Sequence, residues 1–274
     1  MRYSLIFIGI FLVVGCEKKD PAGKEADAIQ SYSRKVMGNM KDELGFIPQT
    51  LMFIDLKAIR NSPLMAILKN NMTKFKSDSD CMSKIFETAD TIELFSDNSG
   101  TAIVTGKNMN QPILAFYRGV DPKETETCIQ KTYPIMAKGK LWAVSDNVLA
   151  MATGKFAEKI VPGKGKLGKG IIDSSMKRKS LMFLVEGDES LPIATGYIDL
   201  SNGLALDWKL KFNKELEAKS IESQFNRLSG ALKLCPRRKD LVEKIKFIRR
   251  GDLIIINTKL SRYELRQLTG LMRL

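Results

Sequence analysis

Apolar positions along this chain recur in two rhythms, and the rhythm predicts the element. Ala26 to Leu44 carries Ile29, Val36, Met37, Met40 and Leu44 at mostly three- and four-residue spacings, which predicts a helix ended by Gly45. After Pro48, the run Leu51-Met52-Phe53-Ile54-Asp55-Leu56 predicts a buried strand. Ser62-Pro63 then predicts a helix start, with Ser62 accepting a backbone N–H bond and Leu64, Ile67, Leu68 and Met72 as its stripe. A short helix follows from Cys81 to Thr88. Thr91–Phe95 predicts a strand turning through Asp97–Gly100 into Thr101–Thr105, and Gln111–Gly119 predicts another. Asp121-Pro122 begins the helix that holds Cys128; Leu141–Val144 and Val148–Met151 form a hairpin across Ser145-Asp146-Asn147, and a short helix reaches about Val161.

The second half starts in a similar way. Leu181-Met182-Phe183-Leu184 echoes Leu51-Met52-Phe53-Ile54, and Ala194–Leu200 joins Leu204–Phe212 across Ser201-Asn202-Gly203, a hairpin signal. Asn213–Leu234 is the longest expected helix, with Leu216, Ile221, Phe225, Leu228 and Leu232 on its apolar side. Strands at Ile245–Arg249 and Leu253–Ile256, joined by Arg250-Gly251-Asp252, precede a helix over Ser261–Leu271. Aligning Asp146–Thr153 with Gly251–Thr258 puts strand and then helix at the end of both halves. The expectation is an α+β fold of two similar halves of antiparallel sheet packed with helices, a diverged tandem repeat with its boundary near Gly165. In this reading residues 26–163 form the first half and 164–274 the second.

Composition narrows the chemistry. The 274 residues are 44% hydrophobic and 27% charged, as in an ordinary globular protein. The 44 Lys plus Arg outnumber 31 Asp plus Glu, a formal charge of +13, so anionic partners are favoured. There is no histidine. That removes Ser-His-Asp and Cys-His catalysis, histidine-ligated zinc and the imidazole proton shuttle. The expectation is a non-enzymatic protein with no cofactor and no metal site, since no C-x-x-C spacing exists either.

The N-terminus decides the compartment. One cation, Arg2, precedes an apolar run from Leu5 to Val14, then Gly15 and Cys16. This is the layout of a secretory signal, and a bilayer-spanning helix needs about 18 or more apolar residues, so a permanent span is not expected. The box Leu12-Val13-Val14-Gly15-Cys16 resembles that of bacterial lipoprotein precursors. The resemblance implies cleavage of residues 1–15, lipid modification of Cys16 as the membrane anchor, and residues 16–25 as a tether. Glu17 after the modified cysteine implies the outer membrane rather than the inner. Phe46-Ile47-Pro48, Leu51–Leu56 and Ala58–Leu64 also look like uncharacterised lipoproteins of myxobacterial type, which implies no activity. With Cys16 lipidated, Cys81, Cys128 and Cys235 remain in a compartment that permits disulfides. Cys81 with Cys128, both in the first half, is the favoured pair; it would close a loop of roughly fifty residues and stabilise by about 3 to 4 kcal/mol.

Other motifs are weaker. Gly163–Gly170 meets G-x-x-x-x-G-K but has Gly170 where a P-loop needs Ser or Thr, and it follows a helix end rather than a strand, so it reads as a basic linker. Two basic groups stand out: Lys177, Arg178 and Lys179, then Arg237, Arg238 and Lys239 with Lys244, Lys246, Arg249 and Arg250. They are either candidate contacts to anionic head groups or solvated surface. No aromatics alternate with them, so nucleic acid is not an expected partner. Asp78-Ser79-Asp80 and Glu186–Glu189 lack calcium-loop spacing. The thirteen methionines suit core or the lining of a lipid cavity. The functional expectation is a lipid-anchored, extracytoplasmic binding or interaction module of the cell envelope, with a carrier or sensor of an apolar or anionic lipid as the alternative.

Overall fold

The structure, a computed structural model, describes residues 31, 35, 48–62, 65, 80–96, 112–132, 139–160, 179–186, 193–233, 240 and 242–264. Cys16, Lys177, Arg178, Arg237, Arg238, Lys239, Cys235, the Gly163–Gly170 segment, the Thr101–Thr105 strand and most of the first expected helix lie outside them, as do the side chains of Cys81 and Leu232. No helix of the described residues is long and apolar enough to cross a membrane.

Among the described residues, ten strands form one antiparallel sheet. They are β1 (Thr50–Asp55), β2 (Thr91–Ser96), β3 (Ile113–Arg118), β4 (Lys140–Ser145), β5 (Val148–Ala152), β6 (Leu181–Val185), β7 (Ile193–Asp199), β8 (Gly203–Lys211), β9 (Ile245–Arg250) and β10 (Leu253–Ser261). Their order is β4-β5-β3-β2-β1-β6-β7-β8-β10-β9. Outward from the centre, the first half therefore reads β1-β2-β3-β5-β4 and the second β6-β7-β8-β10-β9, the same topology twice. The β1–β6 ladder joins the halves into one sheet, with Met52 opposite Phe183.

Helices follow the same plan. The described helices are α1 (Leu56–Arg60), α2 (Asp80–Thr88), α3 (Pro122–Thr132), α4 (Gly154–Lys159) and α5 (Glu215–Lys233). Both α3 and α5 connect the third strand of a half to its fourth. Ile85 of α2 and Ile129 of α3 pack on Ala115, Tyr117, Leu149 and Met151. Ala218 and Phe225 of α5 pack on Leu206, Trp208, Phe247, Ile254 and Ile256, with Phe225 stacked on Phe247 at 4.5 Å. Strand alternation and the ladders place all these sheet residues on one face, called here the front. The back face of the first half is also apolar: Leu51, Phe53, Phe95, Leu114, Phe116, Ala150 and Ala152 are buried there with Phe156 of α4 and Ile160. A strand buried on both faces reads as a continuous apolar run.

Several local expectations change. Asp55 ends β1 and caps α1, its Oδ1 accepting from Ala58 N at 2.7 Å, so Leu56 belongs to a helix and not to the strand. The Ser62 hydroxyl donates to Ile59 O at 2.6 Å, closing α1. The helix α3 does begin at Asp121-Pro122 and hold Cys128, with Asp121 capping it by accepting from Glu124 N at 2.9 Å. Leu216 is 74% exposed, so the buried stripe of α5 runs through Ala218 together with the expected Phe225 and Ile221. Met151 and Met182 are core residues.

The chain's last described turn, residues 262–264, starts on a capping box. Ser261 Oγ accepts from Glu264 N at 3.3 Å, and Glu264 Oε2 accepts from Ser261 N at 2.8 Å. Lys244 also donates to Glu264. These bonds, Lys244 first and Ser261 next, lower the Glu264 pKa from an ordinary 4.5 to about 2. A carboxyl depressed in the folded state stabilises fully above its unfolded pKa and loses that contribution as pH falls through the folded one. Glu264→Gln is therefore expected to lower stability at pH 7, with the difference from wild type shrinking between pH 4.5 and about 2 in urea titrations; an unchanged difference would contradict the assignment.

Candidate functional site

Shared topology lets each half serve as a control for the other. The β4–β5 and β9–β10 hairpins both turn over two residues, Asp146-Asn147 and Gly251-Asp252, the latter with Gly251 at φ +62°. Val148 thus corresponds to Leu253. Following the ladders inward, Arg118 corresponds to Lys211, Phe116 to Lys209, Leu114 to Asp207, Glu93 to Thr195, Phe95 to Tyr197, Phe53 to Leu184 and Leu51 to Met182. All of these lie on the back face. The hairpin alignment read from the sequence holds in element and in face. The Leu51–Ile54 echo picks equivalent strands but is one residue out: Phe53 lies on the back, whereas Phe183 lies on the front, its ring 5.5 Å from that of Trp208 and edge-on.

The comparison exposes a change of character. Where the back face of the first half has Leu114, Phe116 and Ala152, the second half has Asp207, Lys209 and Asn257. Asp207 and Thr195 are buried, at 2% and 3% exposure, and the Thr195 hydroxyl has no hydrogen-bond partner among the described residues. Lys179 lies beside this face, its Nζ 3.9 Å from the Tyr197 ring centroid and 3.8 Å from Asp199 Oδ2. It is therefore engaged within the protein rather than presented outward.

Cations present in both halves are used differently. In the first half, Arg118 Nε and Nη2 donate to the two Glu93 carboxylate oxygens at 2.8 and 3.2 Å, and Lys140 donates to Ile160 O at 2.9 Å. Their counterparts are Lys211 and Lys246. The position equivalent to Glu93 in the strand register holds Thr195, which offers Lys211 no carboxylate. Lys211, Lys246, Arg250 and Lys259 share the back face and carry no ion pair among the described residues. Lys211, Arg250 and Lys259 are exposed and Lys246 half-buried.

The second basic group expected from the sequence is thus divided. Lys246 and Arg250 belong to the back face; Arg249 points to the front, bonding Glu222 at 2.6 Å and Glu215 at 3.2 Å, and Lys244 bonds Glu264. The Glu222 and Glu215 carboxylates raise the Arg249 pKa further, Glu222 most. Sequence reading missed Lys209, Lys211 and Lys259. Their signal is the period-two alternation Ala205-Asp207-Lys209-Lys211 against Leu206-Trp208-Leu210. The helix α2, which carries Cys81, packs on α3, which holds Cys128.

No protein-family model and no curated protein matches the chain. Among solved structures, crystal form I of TP0453 is similar at a TM-score of 0.42 and 10% identity, covering 84% of this chain and 95% of that one. Crystal form III of TP0453 gives 0.40 and 9%, covering 81% and 94%.

Proposed function

We propose that this protein is a lipid-anchored, non-enzymatic interaction module of the cell envelope, tethered at the outer membrane through Cys16 and extracytoplasmic. The N-terminal box Leu12–Cys16 supports the anchor. The observation that carries the interaction role is the set of exposed cations Lys211, Arg250 and Lys259, which carry no ion pair among the described residues, in a chain of formal charge +13. Cys81 is proposed as the disulfide partner of Cys128, holding α2 to α3.

The anchor is tested by growing the producing bacterium with labelled palmitate. The expected result is a labelled, membrane-associated protein, with Cys16→Ala unlabelled and accumulating as a precursor. Equal labelling of the variant, or none of either, would overturn it. Native mass spectrometry of the chain from Glu17, which keeps every described residue, separates module from carrier. A lipid-mass adduct lost on denaturation would move the reading to a lipid carrier.

A further inference from the structure

We infer that the back face of β8 and β10 is the docking surface of the chain's own segment 265–272, which follows the last described turn. The face is covered. Thr195, Asp207 and Ile255 are only 2–3% exposed there, and Leu253 and Asn257 are half-buried. A strand residue reaches such low exposure when both faces of its sheet are packed. Yet Ile255 joins none of the apolar clusters that the described residues form, and α5, the described helix of this half, lies on the front.

The first half shows which element closes this side. After β5 the chain caps a helix at Thr153 and folds it back over the strands it has just left, so that Phe156, three residues past the cap, and Ile160, seven past, are buried with Leu114, Phe116, Ala150 and Ala152. The second half leaves β10 in the same way. Ser261 is the cap, Arg262 is exposed as Gly154 is, and the chain turns inward at Glu264, three past the cap, where it is half-buried and bonded to Lys244 beside the start of β9. Arg262 Nη2 donates to Ser201 O at 3.1 Å, which fixes this turn against the β7–β8 loop. Continued in the phase of α4, the next inward positions are Leu265, Leu268 and Met272, an apolar stripe at three- and four-residue spacing, while Arg266 falls on the other side.

The reach fits. Along a helix, Leu268 lies about 10 Å from the Ser261 cap and Met272 about 16 Å. Asn257, with Asp207 opposite, lies about 13 Å back along β10, and Ile255 about 20 Å, within a side chain's length of Met272. The segment thus spans the covered residues. Lys211, Arg250 and Lys259 stay exposed at its margin, where an external partner meets them.

Lysine acetylation of the chain from Glu17 tests this, because Lys209 stands directly opposite Ile255 and is half-buried. Leu265→Ser with Leu268→Ser is expected to raise the Lys209 rate about tenfold or more, leaving Lys123 and Lys131 of α3 at wild-type rates. An unchanged Lys209 in a variant that keeps the wild-type circular dichroism would overturn the inference. Acceleration by Val36→Ser with Met40→Ser, and not by the leucine pair, would also overturn it, giving the face to the helix expected over Ala26–Leu44. Should the leucine variant unfold, oxidative cross-linking decides. Asn257→Cys with Leu268→Cys is expected to form an intramolecular disulfide, mapped by peptide mass spectrometry, and Asn257→Cys with Arg266→Cys to form little. Equal yields from the two, or none from either, would overturn the docking.

Discussion

Replacing Arg118 by methionine is expected to cost about 3 kcal/mol or more of folding stability. Glu93 is 2% exposed and stands in a row between Phe53 and Phe116, an apolar setting in which an unpaired carboxylate is strongly disfavoured. The Arg118 guanidinium answers it with two parallel bonds, a geometry that lysine does not reproduce. The cost is chiefly that of leaving Glu93 stranded, not of losing attraction between the two. It follows that Glu93→Gln with Arg118→Met should recover most of the loss, because a neutral amide is cheaper to bury. Urea unfolding of the three variants reads this directly. A double variant as unstable as Arg118→Met alone would show that packing of the arginine stem, rather than the stranded charge, dominates.

Gly196→Ala is expected to be at least as damaging, at about 3 kcal/mol. A Cβ at Gly196 would sit 2.2 Å from the Asp207 carbonyl oxygen and 2.5 Å from Trp208 Cδ1. The first contact is backbone and cannot rotate away; the second is a ring held among Phe183, Leu206 and Ile256. Gly196 is the gap between Phe183 and Trp208 on the front face, and its emptiness lets their rings meet edge-on. The substitution should force β7 and β8 apart and disturb the packing of α5. Near-ultraviolet circular dichroism of the tryptophan region, with a urea titration, is the check. Wild-type stability with an unchanged tryptophan signal would contradict the geometry.

Much of the fold is legible in the sequence because hairpin turns and periodicity are local. The turns at Asp146-Asn147 and Gly251-Asp252, the β7–β8 hairpin and helix α5 follow from residues close together in the chain. What is not legible is phase. Leu51–Ile54 and Leu181–Leu184 are apolar throughout because the sheet centre is buried on both faces there, so no alternation distinguishes one face from the other, and the echo is read one residue out of step. Strand order is equally hidden, since the β1–β6 pairing joins residues that no local turn connects.

The site shows the same division. Consecutive Arg249 and Arg250 look like one basic group in sequence, yet a strand sends neighbours to opposite faces: Arg249 to Glu222 under α5, Arg250 to the back. Conversely Lys246 and Lys259 are distant in sequence and become neighbours only through the β9–β10 ladder, where Lys246 lies opposite Asn257.

The most direct measurement is lysine footprinting on the unmutated chain. The chain from Glu17 is acetylated with and without phosphatidylglycerol-containing vesicles, and each lysine is quantified by mass spectrometry. Protection of the exposed Lys211 and Lys259, with the exposed Lys123 and Lys131 of α3 reacting equally in both samples, is the predicted result. Protection of Lys123 and Lys131 with Lys211 and Lys259 unchanged would contradict the account.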